Sequence, residues 1–291
     1  MSPERTFNFM TDQTLPSPEK LVDLSDLVKL PRPLMSLVKG PVESLLGLTH
    51  INDYYTSIQH LPRPERETRF FELSVEGLNL KYEVDPEGLA RIPKQGPLVV
   101  VANHPHGMAD GIILGDLLSG VRSDFKLMAN EQLKMCPELA GWIIAVNPFN
   151  TLEARRRNLA GLRESLAWLR KGGVLVTFPA GSASTFSMQE RRVMDGVWNS
   201  NIAALIKKTG ASVVPMHLSG RNSLLFQTVS VLKREARVAF LPRELKRNGR
   251  ITQTIQVGDA MGAEEFGKFG SAEELVADLR RRSDALGSKF D

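Results

Sequence analysis

The chain has 291 residues, 42 % hydrophobic and 24 % charged, a globular balance that excludes wholesale disorder and suits a single folded core. Thirty-seven Lys and Arg against thirty-three Asp and Glu leave a net charge of +4, which favours anionic partners but falls short of the excess expected of a dedicated nucleic-acid binder. The single cysteine, Cys136, excludes an internal disulfide and a Cys-rich metal site, suits a reducing compartment, and reads as a packing residue.

Residues 1–18 are polar, with Pro and Ser and without the apolar core or cleavage site of a secretory signal, and read as a disordered tail. No stretch reaches the roughly 18 consecutive apolar residues of a spanning helix, so any membrane contact is expected to be peripheral. Residues 19–62 form an expected N-terminal helical segment. Leu21, Leu24, Leu27, Val28, Leu34, Leu37, Val38, Leu45, Leu46 and Leu48 fall at helical spacing, and Pro31, Pro33 and Gly40-Pro41 cut the run into short helices. These helices either pack on the main core or lie as an amphipathic platform on an anionic bilayer surface, with Lys29, Arg32 and Lys39 at the headgroups.

Residues 63–291 read as an α/β domain with a largely parallel central sheet flanked by helices, because strand-like and helix-like stretches alternate. Strands are expected within Leu73–Val84, at Leu98–Ala102, Phe125–Met128, Ile143–Val146, Val174–Phe178, Val213–Leu218, Ala236–Phe240 and Ile251–Val257. Helices are expected at Gly111–Leu118 and over residues 151–171, the latter with Leu159, Leu162, Leu166 and Leu169 as its apolar stripe before Gly172-Gly173 ends it.

Ligands of open α/β sheets gather just beyond strand ends, and three segments there carry chemistry. The first, Asn103-His-Pro-His-Gly-Met-Ala-Asp110, brings two of the five histidines and an aspartate within a few residues. One ring nitrogen of His104 can serve as a base while Asp110 holds the other, although Asp110 is also within reach of His106. His104, His106 and Asp110 are metal-ligand types as well, but their spacing lacks a third ligand, and no metal is expected. The second segment, Phe178-Pro-Ala-Gly-Ser-Ala-Ser184, breaks a buried strand into a tight turn able to present backbone N–H groups to an oxyanion or phosphate. Ser182 and Ser184 lack the second glycine of a nucleophile elbow. The third, Gly220-Arg221-Asn222, places a guanidinium at the same sheet edge as an anion anchor.

Asn103-His104-Pro105 with Asp110, Phe178-Pro179-x-Gly181, Val214-Pro215 and Gly220-Arg221-Asn222 together resemble the ordered blocks of the glycerolipid (lysophospholipid) acyltransferase superfamily. They are most similar to its bacterial hemolysin-like branch, which includes lyso-ornithine lipid acyltransferases; His104-Pro-His-Gly107 also resembles the histidine block of mono- and diacylglycerol acyltransferases. The resemblance runs from about Leu46 to Leu225. It implies an O-acyltransferase in which His104 is the general base and Asp110 orients it. Asn103, His106, Gly107, Phe178, Pro179, Gly181, Ser182, Arg221 and Asn222 would then line the substrates. Acyl carrier protein or CoA thioester would be the donor, a lysolipid the acceptor, and no other cofactor is implied. The place of work implied is the cytoplasmic side of a membrane, peripherally, or the cytoplasm itself, without nucleic acid.

Five residues separate His104 from Asp110, as in that branch, where the commoner spacing is four. Pro148 stands where an arginine is usual and Ala180 where a glutamate is usual. Both positions serve glycerol-phosphate acceptors in the wider family, which counts against a plain lysophosphatidic acid acceptor; Arg155, Arg156 and Arg157 are the nearest alternative source of positive charge. The competing readings are a thioesterase or lipid hydrolase, in which His104 activates water, and a lipid-binding protein without turnover.

Overall fold

A computed structural model of the chain describes residues 20–27, 32–147, 152–233 and 236–288. The tail at 1–18, Lys29, Pro31 and Pro148 lie outside the described residues, as do the side chains of Arg32 and Arg155 to Arg157. Among the described residues nine strands form: β1 (Lys81–Val84), β2 (Leu98–Ala102), β3 (Phe125–Asn130), β4 (Ile143–Val146), β5 (Val174–Thr177), β6 (Thr185–Ser187), β7 (Arg192–Met194), β8 (Ser212–Leu218) and β9 (Thr252–Val257). Seven make one sheet in the order β1-β9-β8-β2-β5-β3-β4, and β6 and β7 make a separate antiparallel hairpin. Within the large sheet only the β8–β9 pairing is antiparallel. The fold is therefore α/β with a largely parallel sheet, as expected.

Strand β2 shows why the sheet is buried on both sides. All five of its residues are buried, and successive side chains point to opposite faces. Leu98, Val100 and Ala102 join one apolar cluster with Ile51, Tyr54, Tyr55, Phe71, Ile113 and Leu118. Val99 and Val101 join a second with Leu169, Ile202, Ile206, Leu275 and Leu279. Helices thus cover both faces and leave the C-terminal ends of β2, β5 and β8 side by side.

Two expected strands are corrected. In the Leu73–Val84 stretch only Lys81–Val84 is a strand, since Phe70–Gly77 is a helix. Phe70, Phe71, Ser74 and Leu78 are buried, a spacing of three to four that outweighs the alternation farther on. Asn79, at φ 54°, turns the chain from helix toward strand. Ala236–Phe240 is a short 3-10 helix. β9, not this segment, takes the place beside β8.

Two helices are adjusted. The helix expected from Gly111 begins at Met108, because Asp110 accepts the Gly107 backbone N–H at 2.9 Å and so caps an earlier turn. In the Leu152–Arg170 helix Leu169 is buried, Leu162 and Leu166 pack against the core, and Leu159 is solvent-exposed. The true contact face runs through Gly161 and Ser165. A Cβ at Gly161 would strike the Ala145 carbonyl, so this helix lies closer to β4 than leucines would permit.

Candidate active site

Hydrogen bonds from three elements tie down the loop after β2. Asn103 donates to the Leu218 carbonyl at 2.9 Å and accepts the Leu218 N–H at 2.7 Å, extending the β2–β8 pairing with a side chain. His104 donates its backbone N–H to Asp195 Oδ1 at 3.1 Å and accepts the Ser184 N–H on its carbonyl at 2.7 Å. The same Asp195 accepts the Ser184 hydroxyl at 2.5 Å and the Trp198 indole N–H at 2.9 Å. Arg280 donates to the Asp195 carbonyl at 2.9 Å. One buried carboxylate therefore fixes the positions of the first and second sequence segments relative to each other.

His104 Nδ1 lies 2.9 Å from Asp110 Oδ2. The approach has the length of a hydrogen bond without its alignment. The ring stacks on Phe178, with centroids 4.0 Å apart and planes 19° from parallel, so its rotation is restricted. Asp110 is wholly buried, and its Oδ2 also accepts the backbone N–H groups of His106 and Gly107 at 2.9 Å each. It stands in the first turn of its helix, where aligned peptide dipoles favour negative charge.

The two imidazoles have different environments. The His104 side chain is partly open to solvent. His106 is buried, with Nε2 3.0 Å from the Ser219 carbonyl. A carbonyl only accepts, so Nε2 carries a proton here, and Nδ1 is buried without a partner among the described residues. Asp110 meets the ring of His104 but only the backbone of His106. Gly220, at φ 95°, makes room for this arrangement, because a Cβ there would come within 2.8 Å of His106 Nε2.

The remaining sequence candidates gather at the same edge in unequal roles. Pro179 is buried and its carbonyl accepts the Asn199 N–H at 2.9 Å, while Gly181 closes its turn by donating to Phe178 at 2.9 Å. Ser182 is half-buried beside that turn. Ala180 packs against the second cluster. Gly107, at φ 77°, sits with its Cα facing Leu241. Arg221 is exposed, and its carbonyl accepts from Arg247 at 3.3 Å. Asn222 is buried with both amide atoms unpartnered among the described residues. Asp195 was missed by sequence reasoning, since a lone aspartate many residues from the histidines has no spacing signal. Cys136 is buried, and burial together with the neighbouring Glu138 pushes its thiol well above the usual range. Among the described residues no three His, Cys, Asp or Glu side chains gather as a metal would require.

A family model described as acyltransferase matches residues 51–291, which include every element of this site. The chain belongs to this acyltransferase family. The acyltransferase is 28 % identical over 206 residues to a lyso-glycine lipid O-acyltransferase of Phocaeicola vulgatus, covering 68 % of this chain and 71 % of the relative. It is 26 % identical over 269 residues to the lyso-glycine lipid O-acyltransferase of Bacteroides thetaiotaomicron, covering 89 % and 93 %. The crystal structure of the 1-acyl-sn-glycerophosphate (LPA) acyltransferase, PlsC, from Thermotoga maritima aligns at a TM-score of 0.49 and 17 % identity over 89 % of this chain and 94 % of that one. The family read from the sequence blocks is thereby borne out. Among the described residues of the acyltransferase no helix is long and apolar enough to cross a membrane.

Proposed function

We propose that the acyltransferase moves a fatty acyl group from an acyl thioester, on acyl carrier protein or CoA, to the hydroxyl of a lysolipid at the cytoplasmic membrane surface. The observation that carries this reading is the 2.9 Å approach of His104 Nδ1 to buried Asp110 Oδ2, with the other ring nitrogen left for the acceptor. His104 Nε2 removes the hydroxyl proton as the oxygen attacks the thioester carbonyl. The tetrahedral oxyanion collapses, the C–S bond breaks, and the departing thiolate takes the proton from His104. Asp110 stabilises the imidazolium between these steps and holds the ring with Nε2 outward. No covalent acyl-enzyme and no further cofactor enter the scheme.

The lyso-glycine lipid activity of both relatives, and Ala180 in place of the glutamate that serves glycerol-phosphate acceptors in the wider family, support an amino-acid-headed lysolipid over lysophosphatidic acid. Arg221 and Asn222, at the mouth of the same edge, are the groups we assign to that polar headgroup.

The test is incubation with acyl-CoA and acyl carrier protein thioesters against lyso-glycine lipid, lyso-ornithine lipid, lysophosphatidic acid and monoacylglycerol, read by mass spectrometry. His104→Ala should lower transfer by about 10²–10⁴-fold with the fold intact by circular dichroism. Asp110→Asn should lower kcat more than it raises KM, because it disturbs the base and not the acceptor's seat. Free fatty acid as the sole product would favour a hydrolase instead. A dead His106→Ala beside a fully active His104→Ala would overturn the assignment of the base.

A further inference from the structure

The helix Leu224–Leu232 is amphipathic in the reverse of the usual sense. Its buried residues are Phe226, Gln227 and Ser230, so two of three are polar. Its solvent side carries Leu224 at 81 % exposure, Leu232 at 80 %, and Leu225 and Val231. At 100° per residue these four fall within one arc of about 120°, with exposed Thr228 in its middle turning its hydroxyl back onto the Leu224 carbonyl at 2.9 Å. The β6–β7 hairpin packs beside it, with the Phe186 N–H donated to Gln227 Oε1 at 2.9 Å. That hairpin adds Met188 at 74 % exposure and the edge of Phe186. A soluble surface seldom gathers exposed large apolar side chains in this way without something to cover them.

Charge says what covers them. From Gly220 to Lys233 there is no acidic residue, Arg221 and Lys233 bracket the helix, and both are exposed. The hairpin carries Arg191 and Arg192 against a single Glu190, all three exposed. An apolar ridge fringed by cations fits an anionic bilayer surface, where leucines enter the acyl boundary and the basic groups meet headgroups. Pairing with a second copy would bring like charges together.

We infer that the Leu224–Leu232 helix and the β6–β7 hairpin form the face by which the acyltransferase inserts shallowly into anionic membranes. Both elements grow from loops that hold the catalytic turn: β6 follows Ser184, whose N–H is donated to the His104 carbonyl, and the helix follows Ser219, which anchors His106. Docking this face sets the His104 edge against the bilayer, so that a lysolipid can present its hydroxyl without leaving the membrane. The inference rests on the lysolipid reading for its purpose and on the exposed side chains for its location. It also moves the membrane face away from the N-terminal helices.

The test is flotation of the full chain with vesicles of equimolar phosphatidylglycerol and phosphatidylcholine, compared with phosphatidylcholine alone and repeated in high salt. Wild type should bind the anionic vesicles more tightly and lose part of that preference in salt. The double variant Leu224→Ser with Leu232→Ser should bind on the order of a hundredfold more weakly, at about tenfold per leucine removed from the acyl boundary. It should still acylate a short-chain lysolipid dissolved below its micelle-forming concentration, which shows that the fold and the chemistry survive. A Leu232→Trp variant should show a blue-shifted emission on adding vesicles. Undiminished flotation of the double variant, or an unshifted tryptophan, overturns the inference. So does a dimer, seen by light scattering, that the double variant dissociates. Loss of transfer from the acyl carrier protein donor alone, with the CoA donor unaffected, would assign the face to the carrier and also overturn it. Failure of the acyl-transfer reading would look different: wild type floats normally yet transfers nothing from either donor.

Discussion

The Leu48–Ile58 and Leu224–Leu232 helices both carry large apolar residues at helical spacing, yet they direct them oppositely. In the Leu48–Ile58 helix, Leu48, Ile51, Tyr54, Tyr55 and Ile58 are buried, and the last four pack in the cluster that also holds strand β2. Leu24 is buried as well, its N–H donated to Glu43 at 3.1 Å, and Lys39, a candidate for lipid headgroups, lies 2.6 Å from Asp23. The later helix buries Gln227 and Ser230 and leaves its leucines in solvent. An apolar stripe declares that something must cover it; whether that is the protein's own sheet or another phase is not written in the stripe.

A buried glutamate anchors each region. Glu138 accepts Arg66 Nε at 2.8 Å and the Tyr55 hydroxyl at 3.1 Å, joining the N-terminal helices to the segment before β4. Glu244 accepts the Ser223 N–H at 2.7 Å and the Ser223 hydroxyl at 2.6 Å, and so fixes the start of the outward-facing helix.

These contrasts can be broken in order of size. Arg66→Ala strands the Glu138 carboxylate in the interior and should cost about 3–5 kcal/mol in denaturant unfolding. Ile51→Ala should cost about 2–5 kcal/mol by opening a cavity, whereas Leu224→Ala should change stability by no more than about 0.5 kcal/mol. Equal losses at Ile51 and Leu224 would erase the distinction between the two regions. Glu244→Gln weakens the Ser223 anchor and should cost about 1–3 kcal/mol, with faster amide exchange confined largely to residues 223–232. The smallest effect concerns pH. Burial, aided by the charge of Lys246, holds the His50 imidazole below its ordinary range. The unfolded chain then binds the proton more readily than the folded one, so stability present at neutral pH declines as pH falls through the imidazole range. His50→Gln should flatten that part of a stability profile measured by thermal unfolding.

Much of the catalytic end was legible because its signals are local. The run Leu98–Ala102 is a strand buried on both faces, and the proline, glycine and histidines that follow it interrupt it as a ligand-binding loop does. Spacing alone left open which imidazole faces Asp110, and only the family resemblance pointed to His104. Asp110 is four residues from His106 and six from His104 in the chain, and the turn brings its oxygen to the farther ring and to the backbone of the nearer residue. Asp195 was invisible for the same reason, since its bonds to His104 and Ser184 close only when separate loops meet at one sheet edge. The strand misread at Leu73–Val84 shows the limit from the other side: alternation in a short window competes with helical spacing, and packing of Ser74 against the Tyr54 hydroxyl at 2.6 Å favours the helix.

The sequence by itself determined the α/β alternation, the buried central strands and the residue types at their ends, because these follow from periodicity, turn chemistry and short-range sterics along the chain. Tertiary structure alone decided which histidine meets the aspartate, which carboxylate locks the two loops together, and which leucine-rich helix faces outward. Those outcomes depend on neighbours tens or hundreds of residues away, whose burial and hydrogen bonds exist only once the sheet has assembled.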